Sequence, residues 1–275
     1  MSIKKIISGG QTGADQAALD VAIKYGIDHG GWISRGRKTE NGPLPAKYNL
    51  TEMKSRRYKK RTRQNVIDSD GTIILSHGEL TGGSQYTLKM AKKHKKPFIY
   101  FDLNETPAYQ AISDIHLWIK KNQIETLNVA GKRASKDPKI YDVTQLIVTS
   151  VVFYEEDKAK LFLDKANKRD NYQDQVHKME DNLRETVNHL ISKLPSIDKA
   201  TIARMDIEEL DSLYLSLGPY IRNHFNIESE NNDLLKSCRL ITRINDLGAY
   251  DASTVILHHL WKKLRETQRM KLIKN

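Results

Sequence analysis

The chain alternates short apolar runs with longer stretches that carry apolar residues at helical spacing. The apolar runs are rich in β-branched and aromatic residues and lie at 4–8, 31–34, 71–76, 97–102 and 126–131. Because these runs are continuously apolar, they are typical of strands buried on both faces of a parallel sheet. The stretches between them, such as TGADQAALDVAIKYG, place apolar side chains three and four residues apart and predict helices.

Strands that alternate with helices predict an α/β fold. We therefore expect a Rossmann-like domain over residues 1–165, with a mostly parallel sheet sandwiched by helices. From residue 178 onward the sequence gives only helical signals, which predicts a small all-α domain over 166–275. The interval 35–58 contains two prolines and two glycines and has little periodicity. A loop of this length in a compact domain usually has a function.

Positive charge is concentrated in the predicted α/β part. The formal net charge is +11, and residues 1–169 carry 30 Lys and Arg against 18 Asp and Glu. The densest clusters are KSRRYKKRTR (54–63) and KMAKKHKK (89–96). Such clusters attract phosphates, nucleotides or nucleic acid, or they form solvated helix faces. We favour a solvated face for 89–96 and keep both interpretations for 54–63.

The remaining composition indicates a cytoplasmic protein. Hydrophobic residues make up 39% of the chain and the mean hydropathy is -0.60. The sequence passes from MSIKK directly into an apparent strand, so we expect no secretory signal. The single cysteine, Cys238, has no partner for an internal disulfide, and we expect it to be a small core residue. The sequence has no H-E-x-x-H pair and no second cysteine, so we expect no structural metal.

The stretch SGGQTGADQ, residues 8–16, follows the first apolar run and precedes the first predicted helix. Backbone N–H groups at the start of a helix and the helix dipole favour an anion, most often phosphate. Thr12 is placed to cap the helix and to donate a hydroxyl. The alternative is that the glycines only form a tight turn, because the stretch matches neither the dinucleotide fingerprint nor the P-loop.

Two further turns repeat this arrangement. Gly82, Gly83 and Ser84 follow the strand at 71–76, and Gly131 with Lys132, Arg133 and Ser135 follows the last strand. The carboxyl ends of parallel strands share one edge, where ligands collect at a topological switch point. The turns are therefore expected to face one anionic ligand, although a solvated turn is an equal alternative for the third.

No strong catalytic motif is present. The chain has no G-x-S-x-G elbow, and the possible general acids or bases are single carboxylates, namely Asp15, Asp20, Glu40, Asp68 and Asp70.

Taken together, five motifs resemble a known family. In order, ISGGQTGADQAALDVA, GGWISRGRKTENGPLPAKYNLTE, RTRQNVIDSDGTIIL, TGGSQYTLKMAKKHKKP and LNVAGKRASKDPKIY are similar to motifs of the putative molybdenum carrier proteins. These form the circularly permuted YpsA-type branch of the SLOG superfamily. The resemblance covers residues 3–155. Residues 209–225 and 251–264 resemble a small bacterial helical domain of unknown function.

The resemblance implies a Rossmann-like fold with a ligand pocket at the glycine turns. The implied ligand is the molybdenum cofactor, a phosphate-bearing pterin, or a nucleotide or nucleotide-derived signal. The implied ligand-binding residues are Gly9, Gly10, Gln11, Thr12, Gly13, Asp15, Gly36, Arg37, Asn65, Asp70, Gly82, Gly83, Ser84, Gly131 and Arg133. The second glycine turn departs from the family pattern, because Gln85 and Tyr86 replace a small residue and threonine.

Three functions follow from these observations. The first is a binding protein, a molybdenum carrier or a ligand sensor, that is a homo-oligomer and contacts a protein partner through its helical domain. The second is a nucleotide N-glycoside hydrolase like the lonely-guy enzymes of the same superfamily, with Asp15 or Asp70 as catalytic candidates. Lys89 stands where the catalytic glutamate of those enzymes falls, so binding is favoured over cleavage. The third is nucleic-acid binding through 54–63.

Overall fold

The computed structural model describes residues 3–154, 181–229, 232–242 and 244–273. The chain divides into two compact units, Met1–Val152 and Phe153–Asn275. The expected boundary between residues 165 and 166 lies outside the described residues, so it stays a prediction. Within the described residues, no helix is long and apolar enough to cross a membrane.

The first unit alternates strands and helices, as the sequence predicts. Its strands are Lys5–Ile7 (β1), Asp28–Gly30 (β2), Trp32–Ile33 (β3), Lys38–Thr39 (β4), Gly42–Pro43 (β5), Thr51–Glu52 (β6), Gly71–Ser76 (β7), Phe98–Asp102 (β8) and Thr126–Gly131 (β9). Its helices are Ala14–Lys24 (α1), Tyr58–Asp68 (α2), Gly82–Lys93 (α3), Ala108–Asn122 (α4) and Ile140–Val152 (α5).

A five-stranded sheet forms the centre of this unit, in the order β2-β1-β9-β7-β8. Each neighbouring pair is parallel, with Ile6 opposite Leu127 and Ile73 opposite Val129. Every residue of β7 is buried, since helices contact the sheet from both sides. Helices α1, α4 and α5 pack together, and α2 packs against α3. The predicted Rossmann-like fold is therefore confirmed.

The predicted strand at 31–34 is correct only in part. Gly31 has a φ of +114°, which turns the chain out of the main sheet. The strand before it, β2, joins the main sheet beside β1, whereas β3 pairs with β6 in a separate two-stranded sheet. The segment IDHG gave no apolar signal because β2 is an edge strand and is only partly buried.

The interval between β3 and α2 folds back on the first unit. Its strands β4 and β5 form a hairpin, and its apolar residues Leu44, Tyr48 and Leu50 form a cluster with Leu19 and Ile33. Burial of several large apolar side chains stabilises a long loop that has little regular structure of its own. Below, the pair β4–β5 with its connecting residues 40 and 41 is called the hairpin.

The described residues of the second unit are helical, as predicted. The helices are Asp181–Lys193 (α6), Ser196–Ile202 (α7), Leu210–His224 (α8), Asp233–Thr242 (α9) and Ala249–Ile273 (α10), with a 3₁₀ turn at Ile207–Glu209. Helix α10 contacts each of the other four helices. Cys238 is fully buried, and burial raises the pKa of its thiol to about 12. The prediction that it is a core residue is confirmed.

Candidate ligand-binding site at the carboxyl edge of the sheet

Three turns meet at the carboxyl ends of β1, β7 and β9. We call them the first turn (8–13), the second turn (77–84) and the third turn (131–137). The third turn lies between the other two. Its Lys132 carbonyl accepts the N–H of Ala14 at 3.3 Å, and its Asp137 bonds to His77. The sheet order places β1 beside β9, where the strand order reverses, and such a switch point is where parallel sheets bind ligands.

Glycines of the first and third turns allow these turns to pack closely. At Gly13, where φ is +80°, a Cβ would lie 2.5 Å from the carbonyl oxygen of Lys132. At Gly131 it would lie 2.5 Å from the carbonyl oxygen of Leu75. By contrast, a Cβ at Gly82 or Gly83 would meet open space. The glycines of the second turn therefore leave the start of α3 uncovered, whereas the other two turns are closed by packing.

A buried ion pair covers the first turn. Arg61 on α2 places Nη1 3.2 Å from Oδ2 of Asp15, and the two side chains are 13% and 8% exposed. The guanidinium lies directly on Gly9, where any Cβ would overlap it. The N–H of Gln11 also donates to Asp15 Oδ2, at 3.2 Å. Burial raises the pKa of Asp15 above its usual value, although Arg61 acts in the opposite direction.

A second carboxylate, Glu40 of the hairpin, reaches the first and third turns. Its Oε1 accepts the hydroxyl of Thr12 and the N–H of Ser135, the latter at 3.1 Å. Its Oε2 accepts the Ser135 hydroxyl at 2.6 Å and lies 3.3 Å from Nε of Arg133. Burial acts to raise the pKa of Glu40, but the hydrogen bonds from Ser135 and Thr12 and the charge of Arg133 hold it below its usual value.

Thr12 does not cap α1. The helix begins at Ala14, Gly13 occupies the cap position, and no side chain bonds to the cap. The N–H of Thr12 instead donates to Oε1 of Gln11 at 3.0 Å, and the same oxygen accepts the N–H of Glu40 at 2.9 Å. The prediction that Thr12 caps the helix is wrong, because its hydroxyl is directed to Glu40.

On its other side the third turn holds a histidine. His77 follows β7, and its Nδ1 lies 2.8 Å from Oδ1 of Asp137, with the two side chains 14% and 5% exposed. Since a carboxylate only accepts hydrogen bonds, Nδ1 carries the proton in the neutral ring and Nε2 is an acceptor. Nε2 is buried without a hydrogen-bond partner among the described residues. Burial acts to raise the pKa of Asp137, but the hydrogen bonds from His77 lower it overall.

Some of the residues proposed from sequence lie elsewhere. Asp70 precedes β7, and its Oδ2 accepts the N–H groups of Glu125 and Thr126 at 3.1 and 2.7 Å, at the amino edge of the sheet. Asn65 is buried and bonds to the backbone of Trp32, so it joins α2 to β3. Neither side chain reaches the three turns through these contacts.

Arg37 and Gly36 organise the loop that carries the hairpin. The Arg37 guanidinium donates to four carbonyls of its own loop, those of Leu44, Pro45, Tyr48 and Leu50, at 2.8–3.1 Å. The N–H of Gly36 donates to Glu52 at 2.7 Å. The Arg37 donors are thus engaged by the chain itself, which gives Arg37 a structural role here.

Two other candidate acids or bases also hold this loop and its surroundings. Asp20 accepts the hydroxyls of Tyr48 and Tyr141 at 3.0 and 2.7 Å and pairs with Lys47 at 2.9 Å. It therefore links α1 to the loop and to α5. Asp68 accepts Nε1–H of Trp32 at 2.6 Å.

Sequence reasoning missed the roles of Arg61, His77 and Asp137. Arg61 lies in the basic stretch 54–63, where Lys59 and Arg63 are exposed, and only the fold shows that Arg61 turns inward. The signals that mark the other two are the position of His77 directly after β7 and the position of Asp137 in the turn between β9 and α5. In the second turn, Ser84 is buried with its hydroxyl donating to the Thr81 carbonyl at 3.0 Å, and Lys89 is exposed. In the described ranges, no group of three or more His, Cys, Asp or Glu is arranged to hold a metal.

Comparisons with known proteins agree with this architecture. The family model of the circularly permuted YpsA SLOG family matches residues 6–152. A domain of unknown function, DUF6794, matches residues 181–264. A 1.45 Å crystal structure of a putative molybdenum carrier protein from Syntrophus aciditrophicus SB is 50% identical, with a TM-score of 0.53. That match covers 55% of this chain and 95% of the other. No curated protein matches. The chain therefore belongs to the circularly permuted YpsA family of SLOG proteins.

Proposed function

We propose that the protein binds an anionic, phosphate-bearing small molecule at the carboxyl edge of its sheet. Membership of the SLOG family supports a ligand-binding role in general. The observation that carries the anionic class is the set of cationic and neutral donors at the first and third turns, namely Arg61, Arg133 and the hydroxyls of Thr12 and Ser135. Arginine and hydroxyl donors are the groups that recognise phosphate.

The residues we propose for ligand binding are those of the predicted set that lie at the three turns, together with Arg61. Gly9, Gly10, Gln11, Thr12, Gly13, Asp15, Gly131 and Arg133 belong to the first and third turns, and Gly82, Gly83 and Ser84 belong to the second. Gly82 and Gly83 are exposed and uncovered, so they offer backbone to an approaching ligand. Arg61 joins this set, and Asp70, Asn65 and Arg37 serve the fold.

Among anionic ligands, the molybdenum cofactor and a nucleotide-derived signal are the two we propose. The similar protein from Syntrophus aciditrophicus is described as a putative molybdenum carrier, which supports the first. The excess of positive charge over residues 1–169 suits either ligand, because it raises the rate at which anions reach the site. The helical domain on the same chain suits a sensor, because such a domain can contact a protein partner when ligand is bound or join copies of the chain into an oligomer.

Native mass spectrometry of gently purified protein tests the proposal. We expect a bound pterin or a bound nucleotide, identified after release. Titration of the empty protein with nucleoside monophosphates and with molybdopterin then compares Arg133→Gln with Lys136→Gln. Both variants remove one positive charge from the third turn, but only Arg133 contacts the Glu40 carboxylate. Weakened binding in Arg133→Gln alone supports the site, and equal weakening in both variants contradicts it.

The hydrolase alternative rests on one observation, the pair His77 and Asp137. A histidine whose Nδ1 is held by a carboxylate and whose Nε2 lacks a hydrogen-bond partner has the tautomer of a general base, which acts once its buried Nε2 is reached by substrate or water. Release of free base from nucleoside monophosphates, lost in His77→Ala and retained in the control His94→Gln at the end of α3, would support this reaction. If a nucleotide binds and no product forms, the protein binds its ligand without cleaving it.

A further inference from the structure

We propose that Thr12, Arg133 and Ser135 form the subsite for the ligand's oxyanion and that the Glu40 carboxylate occupies this subsite when the ligand is absent. The inference rests on the proposed function and specifies which donors hold the phosphate. All the donors converge on one carboxylate: the Thr12 hydroxyl and Ser135 N–H on Oε1, and the Ser135 hydroxyl and Arg133 on Oε2. A carboxylate and a phosphate present the same kind of acceptor to such donors.

The Thr12 hydroxyl is a donor with a fixed direction. Its oxygen accepts the N–H of Ala134 at 3.2 Å, so its own hydrogen is directed to Glu40. The N–H of Ser135, one residue further along the same turn, points to the same carboxylate oxygen. Two adjacent backbone N–H groups therefore orient this subsite, one directly and one through Thr12. The Thr12 hydroxyl and the Ser135 N–H stay in place when Glu40 leaves, because their backbone belongs to turns that are closed by packing at Gly13 and Gly131.

The hairpin that carries Glu40 can release it at small cost. Its strands contain two residues each, and Lys38, Asn41 and Pro43 are exposed. The base of the loop is held separately by Arg37 and by the cluster of Leu44, Tyr48 and Leu50. The backbone N–H of Glu40 bonds to Gln11 and does not depend on the carboxylate. Rotation of one side chain therefore opens the subsite without unfolding the loop.

Competition with an internal carboxylate selects the charge of the ligand. A monoanion gains little by replacing another monoanion, whereas a phosphate monoester carries a charge of about −1.5 to −2 at pH 7 and has three acceptor oxygens. The subsite thus favours a tetrahedral dianion, and both a phosphate monoester and molybdate have that chemistry. The apparent affinity for any such ligand is the intrinsic affinity multiplied by the fraction of molecules in which Glu40 has left the subsite.

Titration calorimetry on the full chain tests the inference with inorganic phosphate and molybdate as separate probes. Glu40→Gln is compared with Glu52→Gln, a control that removes a carboxylate of the same loop whose oxygen accepts the N–H of Gly36. We expect Glu40→Gln to bind the preferred probe about tenfold more tightly, because a neutral amide competes less well than a carboxylate. Glu52→Gln is expected to match the wild type. The stronger probe identifies the source of the oxyanion.

Hydrogen exchange supplies a readout that does not depend on the variant folding well. Saturating probe should lower exchange in wild-type residues 131–137 and leave exchange in 38–43 unchanged, because the Glu40 N–H stays bonded to Gln11 when only the side chain turns away. The inference is overturned if Glu40→Gln binds the probe no more tightly than the wild type, or if the probe reduces exchange in both 38–43 and 131–137. In either case, binding of the probe by the wild type still supports the proposed function. The proposed function fails, and the inference with it, if the wild type and Glu40→Gln bind none of the four ligands: phosphate, molybdate, a nucleotide and molybdopterin.

Discussion

Replacement of Gly9 by alanine tests whether the ion pair over the first turn stabilises the fold. Gly9 is buried and its φ is not in the left-handed region, so alanine causes no backbone strain there. The added Cβ would instead overlap the guanidinium of Arg61. Because Arg61 is a flexible side chain, the guanidinium can move away, but it then leaves Asp15 buried without its cation. The cost of the variant is therefore the loss of the Arg61–Asp15 pair.

The size of that cost follows from the burial of the two groups. Removing one partner of a buried ion pair costs about 3–5 kcal/mol. The displaced guanidinium remains free to reach solvent, so we place Gly9→Ala near the lower end, at about 3 kcal/mol. Protonation of Asp15 limits the loss, since burial already raises its pKa. In a variant whose folded Asp15 has a pKa above the unfolded value, the deficit grows as pH rises through the folded pKa and shrinks in acid.

Urea denaturation in a Trp261→Phe background measures this cost. The remaining tryptophans, Trp32 and Trp118, both lie in the first unit, so their fluorescence reports its unfolding. The Gly83→Ala control adds a Cβ in the first turn of α3, where it meets open space, and should be neutral or stabilising by up to about 1 kcal/mol.

The decisive comparison is a double-mutant cycle with Asp15→Asn. We expect Gly9→Ala to cost about 1 kcal/mol in that background, which gives a coupling energy of about 2 kcal/mol. The same cost with and without the Asp15 charge would refute the reasoning, because the overlap would then act through packing alone.

Three further variants probe the turns and the loop. Gly13→Ala combines a φ of +80° with a Cβ 2.5 Å from a backbone oxygen, and should lower the free energy of unfolding by about 3 kcal/mol or more in the same urea assay, unlike Gly83→Ala. Arg37→Lys loses the planar donors that hold four carbonyls, and limited proteolysis should cleave the loop 37–50 faster while Arg35→Lys remains as resistant as the wild type. Asp137 has a lowered pKa, so its contribution to stability is present above its unfolded pKa of about 4 and is lost as pH falls further; Asp137→Asn should flatten that part of the stability curve measured by thermal melting.

The sequence predicted the sheet because its central strands have the simplest signal. Strands β7 and β9 are apolar runs buried on both faces, and their observed bounds, Gly71–Ser76 and Thr126–Gly131, lie within one residue of the predicted runs. Edge strand β2 escaped notice because solvent on one side permits polar residues there. The short strands of the long loop had no local sequence signal. Each of the pairs β3–β6 and β4–β5 joins only two residues to two others, and whether such a pair forms depends on the packing of the rest of the loop.

The sequence predicted that the three glycine turns lie together, but it did not predict which side chains reach them. Glycine before a helix is a local signal, and the three glycine turns do lie at one edge. Which cation reaches the first turn depends on the packing of α2, so Arg61 looked the same as the exposed Arg63. The family resemblance implied a ligand contact for Arg37, and the fold shows what the sequence could not, that its guanidinium donates to four carbonyls of its own loop.

The donors of the first and third turns are satisfied by carboxylates of the chain, Asp15 with Arg61 and Glu40 with Thr12 and Ser135, and Asp137 holds His77 of the second turn. An anion that binds to these side chains must therefore exchange with one of the carboxylates. Asp15 and Asp137 are 8% and 5% exposed and sit on closed turns, so moving either would disrupt packing. Glu40 is 14% exposed and sits on a short hairpin whose neighbours face solvent. Exchange at Glu40 is therefore the least costly, and ligand affinity should depend on the charge of the side chain at position 40.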